Sequence, residues 1–262
     1  MSVALERLRW GLSDCVVVTG RNLRHFIRQP QLLLFSTVQP IMFVLLFAFV
    51  FGGAIGAALP PGVEYIDFLL PGIFIQSQAF RSTQTAIGLA QDLDRGVVDR
   101  FRSMPMARAA VLVGRTAADL VRGVFVVALM VVVGYAIGFR FSEGLLSALG
   151  AVAVVSAFGF ALSWIFTYVA LTVREVETVQ SAGFVAIFPL VFASSIFVPI
   201  STMPSWLEGI AAASPITASV DAARALSIGG EVAEPLLQAL AWFAGILLVF
   251  IPLCVRRYRR MS

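Results

Sequence analysis

The stretch GLLSALGAVAVVSAFGFALSWIFTYVALTV, residues 144–173, decides the fold, because no charge interrupts it. As an α-helix it is long enough to cross a hydrocarbon core, which takes about 20 apolar residues. Further charge-free runs extend from Gln29 to Val63, Gly123 to Phe139, Thr178 to Leu207 and Pro235 to Val255. The stretch from Leu69 to Gln91 is broken only by Arg81. None of these runs alternates polar and apolar residues as a barrel strand must. Backbone facing lipid has to satisfy its hydrogen bonds internally, so helices are the reading. Six are predicted: Leu32–Phe51, Leu69–Gln91, Val121–Phe139, Leu145–Leu171, Val179–Val198 and Leu236–Val255.

Composition agrees with an all-α integral membrane protein. Of 262 residues, 59% are hydrophobic and 13% are charged, and the mean hydropathy is +0.92. A soluble domain carries about 25% charged residues, so a soluble enzyme is excluded, as is a disordered chain. All 19 basic residues are arginine. A Walker A phosphate loop needs its lysine, so any ATP must be bound by another chain. A lysine Schiff base is excluded likewise. His25 is the single histidine, and Cys15 and Cys254 are the only cysteines. No zinc set and no disulfide framework is expected from them. The spans hold no carboxylate pair and no Ser/His/Asp set, so no catalytic residues are expected. The net charge of +4 lies beside apolar spans and carries no nucleic-acid signal.

The arginines orient the chain. Arg7, Arg9, Arg21, Arg24 and Arg28 precede the first span, and Arg95, Arg100, Arg102 and Arg108 follow the second. Arg174 follows the fourth, and Arg256, Arg257, Arg259 and Arg260 follow the last. The opposite connections hold only Arg140 and Arg224. By the positive-inside rule both termini are expected in the cytoplasm of a multi-pass plasma-membrane (inner-membrane) protein.

The N-terminal segment, residues 1–30, has no compact apolar run ending in small residues, so no signal peptide is expected. Leu5, Leu8, Leu12, Val16, Leu23 and Ile27 share one stripe at helical spacing. The expectation is an amphipathic helix along the cytoplasmic membrane surface, serving as a topology anchor or as a mechanical element. One transmembrane domain, 31–255, and a basic tail, 256–262, complete the chain. No internal repeat or second domain is apparent.

Three segments are candidates for function. Residues 92–105 form the densest charge cluster: Asp92, Asp94, Arg95, Gly96, Asp99, Arg100, Phe101, Arg102 and Pro105, with Val97, Val98, Phe101 and Met104 as an apolar stripe. Holding a loop in the cytoplasm needs only arginine. Mixed charge around an apolar ridge suits docking into a groove on a protein; the alternative is a solvated turn with internal ion pairs. Gly96 permits a tight bend, and Pro105 ends a helix. A short helix, Ala107 to Arg122, is expected next. Its Arg115, Asp119 and Arg122 share a face, as a local ion-pair ladder or as a relay into the membrane.

Arg81 lies mid-span, where an arginine costs about 2.5–3.5 kcal/mol. Gln76, Ser77, Gln78, Ser82, Thr83, Gln84 and Thr85 surround it. A helix this polar faces a bundle interior or a watery cavity. Gln76, Gln78, Arg81 and Gln84 are the candidate path lining, with Arg81 meeting an anionic or polar part of cargo. The other reading is interhelical hydrogen bonding. No acidic partner for Arg81 is expected within a span. The stretch 199–234, broken by Pro204 and Pro215, is expected to form two short extracellular helices that dip into the outer leaflet before the last span.

The run from Asp92 through Met104-Pro105 to Asp119-Leu120 resembles the daunorubicin-resistance branch of the ABC-2 type transporter permeases. Phe68-Leu-Leu-Pro-Gly72 and Met203-Pro-Ser-Trp-Leu207 match it too, and Ser214-Pro-Ile-Thr217 resembles its Asn-Pro-x-Thr with serine in place of asparagine. The resemblance implies six helices with both ends cytoplasmic and an interface helix before the first. It makes residues 92–105 a coupling helix docked on a separate ATP-binding subunit. Two permeases, identical or similar, then work with two such subunits, which bind ATP and Mg; this chain has no cofactor of its own. Membrane lipids surround the assembly, and family cargo includes drugs, antibiotics and lipids. A secondary transporter or channel independent of an ATPase is the main rival; it predicts ionisable residues paired across spans.

Overall fold

The computed structural model describes residues 13–24, 28, 30–56, 59, 62–97 and 110–260. Among these residues there is no strand. Helix α1 covers residues 13–24. Helix α2 (Pro30–Leu46) runs through a π-helical stretch, Phe47–Phe51, into α3 (Gly52–Gly56). Then come α4 (Tyr65–Asp94), α5 (Ala110–Ala136), α6 (Gly144–Val173) and α7 (Val176–Phe192). A 3₁₀ turn, Ile200–Thr202, leads to α8 (Ser205–Ala212), α9 (Pro215–Ile228) and α10 (Ala233–Arg259).

Among the described residues, four helical segments are long and apolar enough to cross a membrane: Val38–Gly56, Leu112–Ala136, Gly144–Val173 and Ala233–Arg259. Helix α7 is apolar but has 17 residues. Helix α4 has 30 residues, and its polar middle sets it apart. It forms the centre of the fold with α6. Leu69, Leu70, Ile73, Phe74 and Ile75 of α4 are buried with Val155, Phe158 and Trp164 of α6. Leu145, Leu146, Phe49 and Leu248 face outward, which suits a hydrocarbon surround better than water.

Two expected boundaries are corrected. The short helix before the third span does not exist as a separate element: α5 runs unbroken from Ala110 to Ala136. Its charges do not end it, because Arg115 and Arg122 are paired and Asp119 is buried. Helix α7 stops at Phe192 rather than at Val198. Past that point the Ser195 amide donates to the Thr217 hydroxyl at 3.3 Å instead of to a helical carbonyl.

Helix α1 packs on the bundle through a face other than its apolar stripe. Val16 is 71% exposed, while Val18 is buried. The Thr19 hydroxyl donates to the Gly114 carbonyl at 3.0 Å. A Cβ added at Gly114 would lie 2.8 Å from Val18 Cβ and 2.9 Å from the Cys15 carbonyl oxygen. Cys15, Val18 and Thr19, spaced i, i+3 and i+4, therefore seat α1 on α5.

Two helices do occupy the stretch before the last span. The Ser214 hydroxyl accepts from the Ile216 amide at 3.2 Å and caps α9, with Pro215 in the first turn. Serine and asparagine are both good N-caps, which accounts for their exchange at this position.

Candidate functional site: an arginine-lined cavity

A cavity of about 930 Å³ lies between α1, α2, α4, α5 and α7. Arg21, Arg24, Arg28, Arg81, Arg95, Arg115 and Arg122 line it, against the carboxylates of Asp92 and Asp119. Phe43, Phe80, Phe184, Ile87 and Val126 supply its apolar wall.

The polar middle of α4 faces inward. Gln76, Ser77, Gln78, Arg81, Ser82, Thr83 and Thr85 are all buried. Gln76, Arg81 and Gln84 line the cavity. Gln78, grouped with them in the sequence reading, does not; it sits behind Arg81 and orients it. Its side-chain oxygen accepts from Arg81 Nε at 2.8 Å and also from Nη2, while its Nε2 donates to the Gly123 carbonyl at 3.2 Å. Arg81 Nη1 donates to the Asp119 backbone carbonyl at 2.5 Å. The guanidinium thus sits on neutral oxygens.

Two glycines make that seat possible. A Cβ at Gly123 of α5 would lie 2.6 Å from Arg81 Nη2, and one at Gly159 of α6 would lie 2.7 Å from it. Neither glycine stood out in the sequence, since close approach between distant helices leaves no local pattern. The GxxxG pairs at Gly52/Gly56 and Gly134/Gly138 did stand out. Of these, Gly134 packs closely, against Leu70.

Asp119 corrects the expectation that no acidic partner for Arg81 lies within a span. It was placed outside because the third span was begun at Val121; with α5 starting at Ala110, Asp119 lies inside the helix. Its carboxylate is paired with Arg122 at 3.0 Å. The expected ladder along this face is only half present. Arg115 turns away from Asp119 and reaches Asp92 of α4 at 2.5 Å. Buried Gln76 Nε2, Arg115 Nε and Asp119 Oδ2 have no hydrogen-bond partner among the described residues.

Of the charged segment 92–105, Asp92, Asp94, Arg95 and Gly96 are described; α4 ends at Asp94, and Gly96 turns the chain with φ +64°. Asp99, Arg100, Phe101, Arg102 and Pro105 lie outside the described residues.

At the far end from the cavity a second polar knot joins three elements. The Arg224 guanidinium of α9 lies 3.6 Å over the Phe68 ring. Its Nε donates to the Phe68 carbonyl at 3.1 Å, Nη2 to the Ser195 carbonyl at 2.7 Å, and Nη1 to Asp221 Oδ1 at 2.9 Å. The Ser195 hydroxyl donates to the same Asp221 oxygen at 2.8 Å. A Cβ at Gly72 would lie 2.6 Å from the Ile196 carbonyl oxygen. Phe68 therefore holds the connector after α7 through Arg224, and Gly72 packs on it directly.

Apolar helices surround a buried polar helix and a basic cavity, and comparison supplies the family. The model of the ABC-2 type transporter membrane family matches residues 13–228, and the chain belongs to that family. It is a multi-pass membrane protein. It is 36% identical over 239 residues to the daunorubicin resistance ABC transporter permease protein of Streptomyces coeruleorubidus, covering 91% of this chain and 82% of the relative. A Mycobacterium tuberculosis relative, assigned as a doxorubicin resistance ABC transporter permease protein, is 28% identical over 252 residues, covering 96% and 90% of the two chains. A second doxorubicin resistance permease protein of that organism matches at 32% over 127 residues, 48% of this chain and 43% of its own length.

Proposed function

We propose that the chain is the transmembrane permease subunit of an ATP-driven exporter in the plasma membrane, moving a drug-like, antibiotic or lipid cargo. A separate ATP-binding subunit, in two copies, binds ATP and Mg and hydrolyses the nucleotide. A second permease, identical or similar, completes the assembly.

The observation that carries this reading is the cavity beneath a charged turn. The C-terminal end of α4 lines the cavity through Gln91 and Asp92, and Arg95 and Val97 continue that wall into the segment 92–105. A lever docked on the ATPase at that segment acts directly on the helix that carries Arg81. Asp92, Asp94, Arg95, Gly96, Asp99, Arg100, Phe101, Arg102 and Pro105 are the proposed docking residues; Arg115, Asp119 and Arg122 form the proposed relay.

Six spans follow when α4 and α7 are counted with the four apolar helices. Helix α4 is on the order of 45 Å long at 1.5 Å per residue, and it buries Gln76, Ser77, Gln78, Arg81, Ser82, Thr83 and Thr85 inside the protein, as suits a spanning helix. Both ends are then cytoplasmic, and α8 and α9 dip into the outer leaflet.

Reconstitution tests the proposal. Proteoliposomes holding the permease and its ATP-binding subunit are expected to accumulate cargo only with ATP and Mg. Gradient-driven transport by the permease alone would overturn the reading. Cysteine labelling in a Cys15→Ser/Cys254→Ser background checks the topology: Ser205→Cys should react from outside and Ser262→Cys only after permeabilisation.

The buried Asp119 beside Arg81 and Arg122 favours one second reading, an ion-coupled transporter. The same vesicles decide it, because that reading requires uptake driven by a proton or sodium gradient without the ATPase.

A further inference from the structure

We propose that the cavity receives an amphiphilic anion: a cargo whose carboxylate or phosphate head is held by Arg81 and the arginines at the mouth, with its apolar body against Phe43, Phe80 and Phe184. The inference rests on the transport reading above and narrows it to a substrate class.

Charge carries the argument. Seven arginines line one cavity with two aspartates. Both carboxylates are already engaged, Asp92 by Arg115 and Asp119 by Arg122. Arg81 is 7% exposed and its hydrogen bonds go to two neutral oxygens, of Gln78 and of the Asp119 backbone. Arg81 makes no ion pair of its own among the described residues, and the nearby Asp119 carboxylate is paired with Arg122, so the burial of Arg81 lacks a full counter-charge. An anion supplies it, and a low-dielectric cleft of one sign concentrates such ligands. An acidic surface on the ATP-binding subunit can cover exposed Arg24, Arg28 and Arg95 at the mouth, but cannot reach Arg81.

A second observation points the same way. Gln76 is 2% exposed, lines the cavity, and among the described residues leaves Nε2 without an acceptor. A donor held ready beside a cation suits an oxyanion, which only accepts.

The apolar half of the cargo has its own surface. Phe80 stands 6.1 Å from Phe184, Phe184 5.6 Å from Phe188, Phe188 4.5 Å from Phe192, and Phe192 5.2 Å from Phe197. Phe197 stacks on Phe47 of the π-helical stretch at 4.3 Å. This file of rings starts in the cavity wall and follows α7 towards the end where α9 lies. An amine-bearing amphiphile would find the same rings but be repelled at the entrance.

The test is equilibrium binding to the purified full-length permease in neutral detergent. The probe is 11-(dansylamino)undecanoic acid, read by its fluorescence, beside its methyl ester. The acid is expected to bind about tenfold tighter than the ester, the worth of one charge-assisted contact. Arg81→Gln should abolish the preference, and Arg24→Gln/Arg28→Gln, at exposed positions that leave the fold intact, should halve it or more. Displacement by dioleoyl phosphatidylglycerol in mixed micelles assigns the site to a lipid headgroup; its failure beside displacement by free lauric acid assigns it to a soluble amphiphile; both support an anionic cargo. Equal binding of acid and ester, or stronger binding of cationic doxorubicin, overturns the inference. ATP-dependent transport measured on the same preparations keeps the two claims apart: coupling without anion preference sinks only this inference, and anion preference without coupling sinks the exporter reading.

Discussion

Arg115 of α5 bonds the carboxylate of Asp92 in the last turn of α4 at 2.5 Å, across 23 residues of chain. The pair fixes the spacing of the two helices where the charged turn begins. Arg115→Ala is expected to leave insertion and ATP hydrolysis intact while lowering cargo moved per ATP several-fold. The charge swap Asp92→Arg/Arg115→Asp should restore part of it, as coupled neighbours do in a double-mutant cycle. Transport and phosphate release on the same vesicles check this; unchanged stoichiometry in Arg115→Ala would remove the pair from the relay.

Arg100 and Phe101 lie in the charged segment beyond Val97. Alanine at either is expected to weaken association with the ATP-binding subunit, costing about 1 kcal/mol or more as for an interface anchor, and to uncouple hydrolysis from export. Co-purification of the two subunits reads the association, and membrane fractionation checks insertion. Wild-type association and export in both variants would remove the docking role.

Gly123 and Gly159 clamp the Arg81 guanidinium from two helices. Gly159→Ala is expected to destabilise the protein by about 1–3 kcal/mol, the cost of overpacking. In an Arg81→Ala background the same change should cost less, because the guanidinium it would strike is gone while Gln78 Oε1, 2.7 Å from the added Cβ, remains. Thermal melts of the four variants in detergent complete the cycle; equal losses in both backgrounds would show that Arg81 is not what fills the space.

Arg224 makes three kinds of contact at once: a ring face, two carbonyls and a carboxylate. Lysine keeps the charge but loses the planar fork and the stacking. Arg224→Lys should therefore lower stability by about 2 kcal/mol, and Phe68→Leu by less, since the carbonyl contact survives. Melting temperatures of the two variants rank the effects.

The apolar runs announced the helices because lipid permits no charge on an exposed face. Boundaries were legible only where charge and span end coincide. They failed at Asp119, whose charge is buried and so does not mark the end of α5, and at Ser195, whose amide is captured by Thr217 from a distant helix. The polar character of α4 singled out Arg81 and its neighbours, yet not which of them meet the cavity. That sorting depends on the α4 rotation that sends Gln78 to Gly123. The Arg224 knot was invisible for the same reason: Phe68, Ser195 and Asp221 come together only through the tertiary path.

Gly114 leaves no side chain between α5 and the amphipathic α1, and Thr19 bonds its carbonyl across that contact. Two helices in such intimate register tilt as one body. Whatever rocks α5 must also swing Arg21 and Arg24 across the cavity's threshold, so on the proposed transport reading admission and ejection of cargo would share a single hinge.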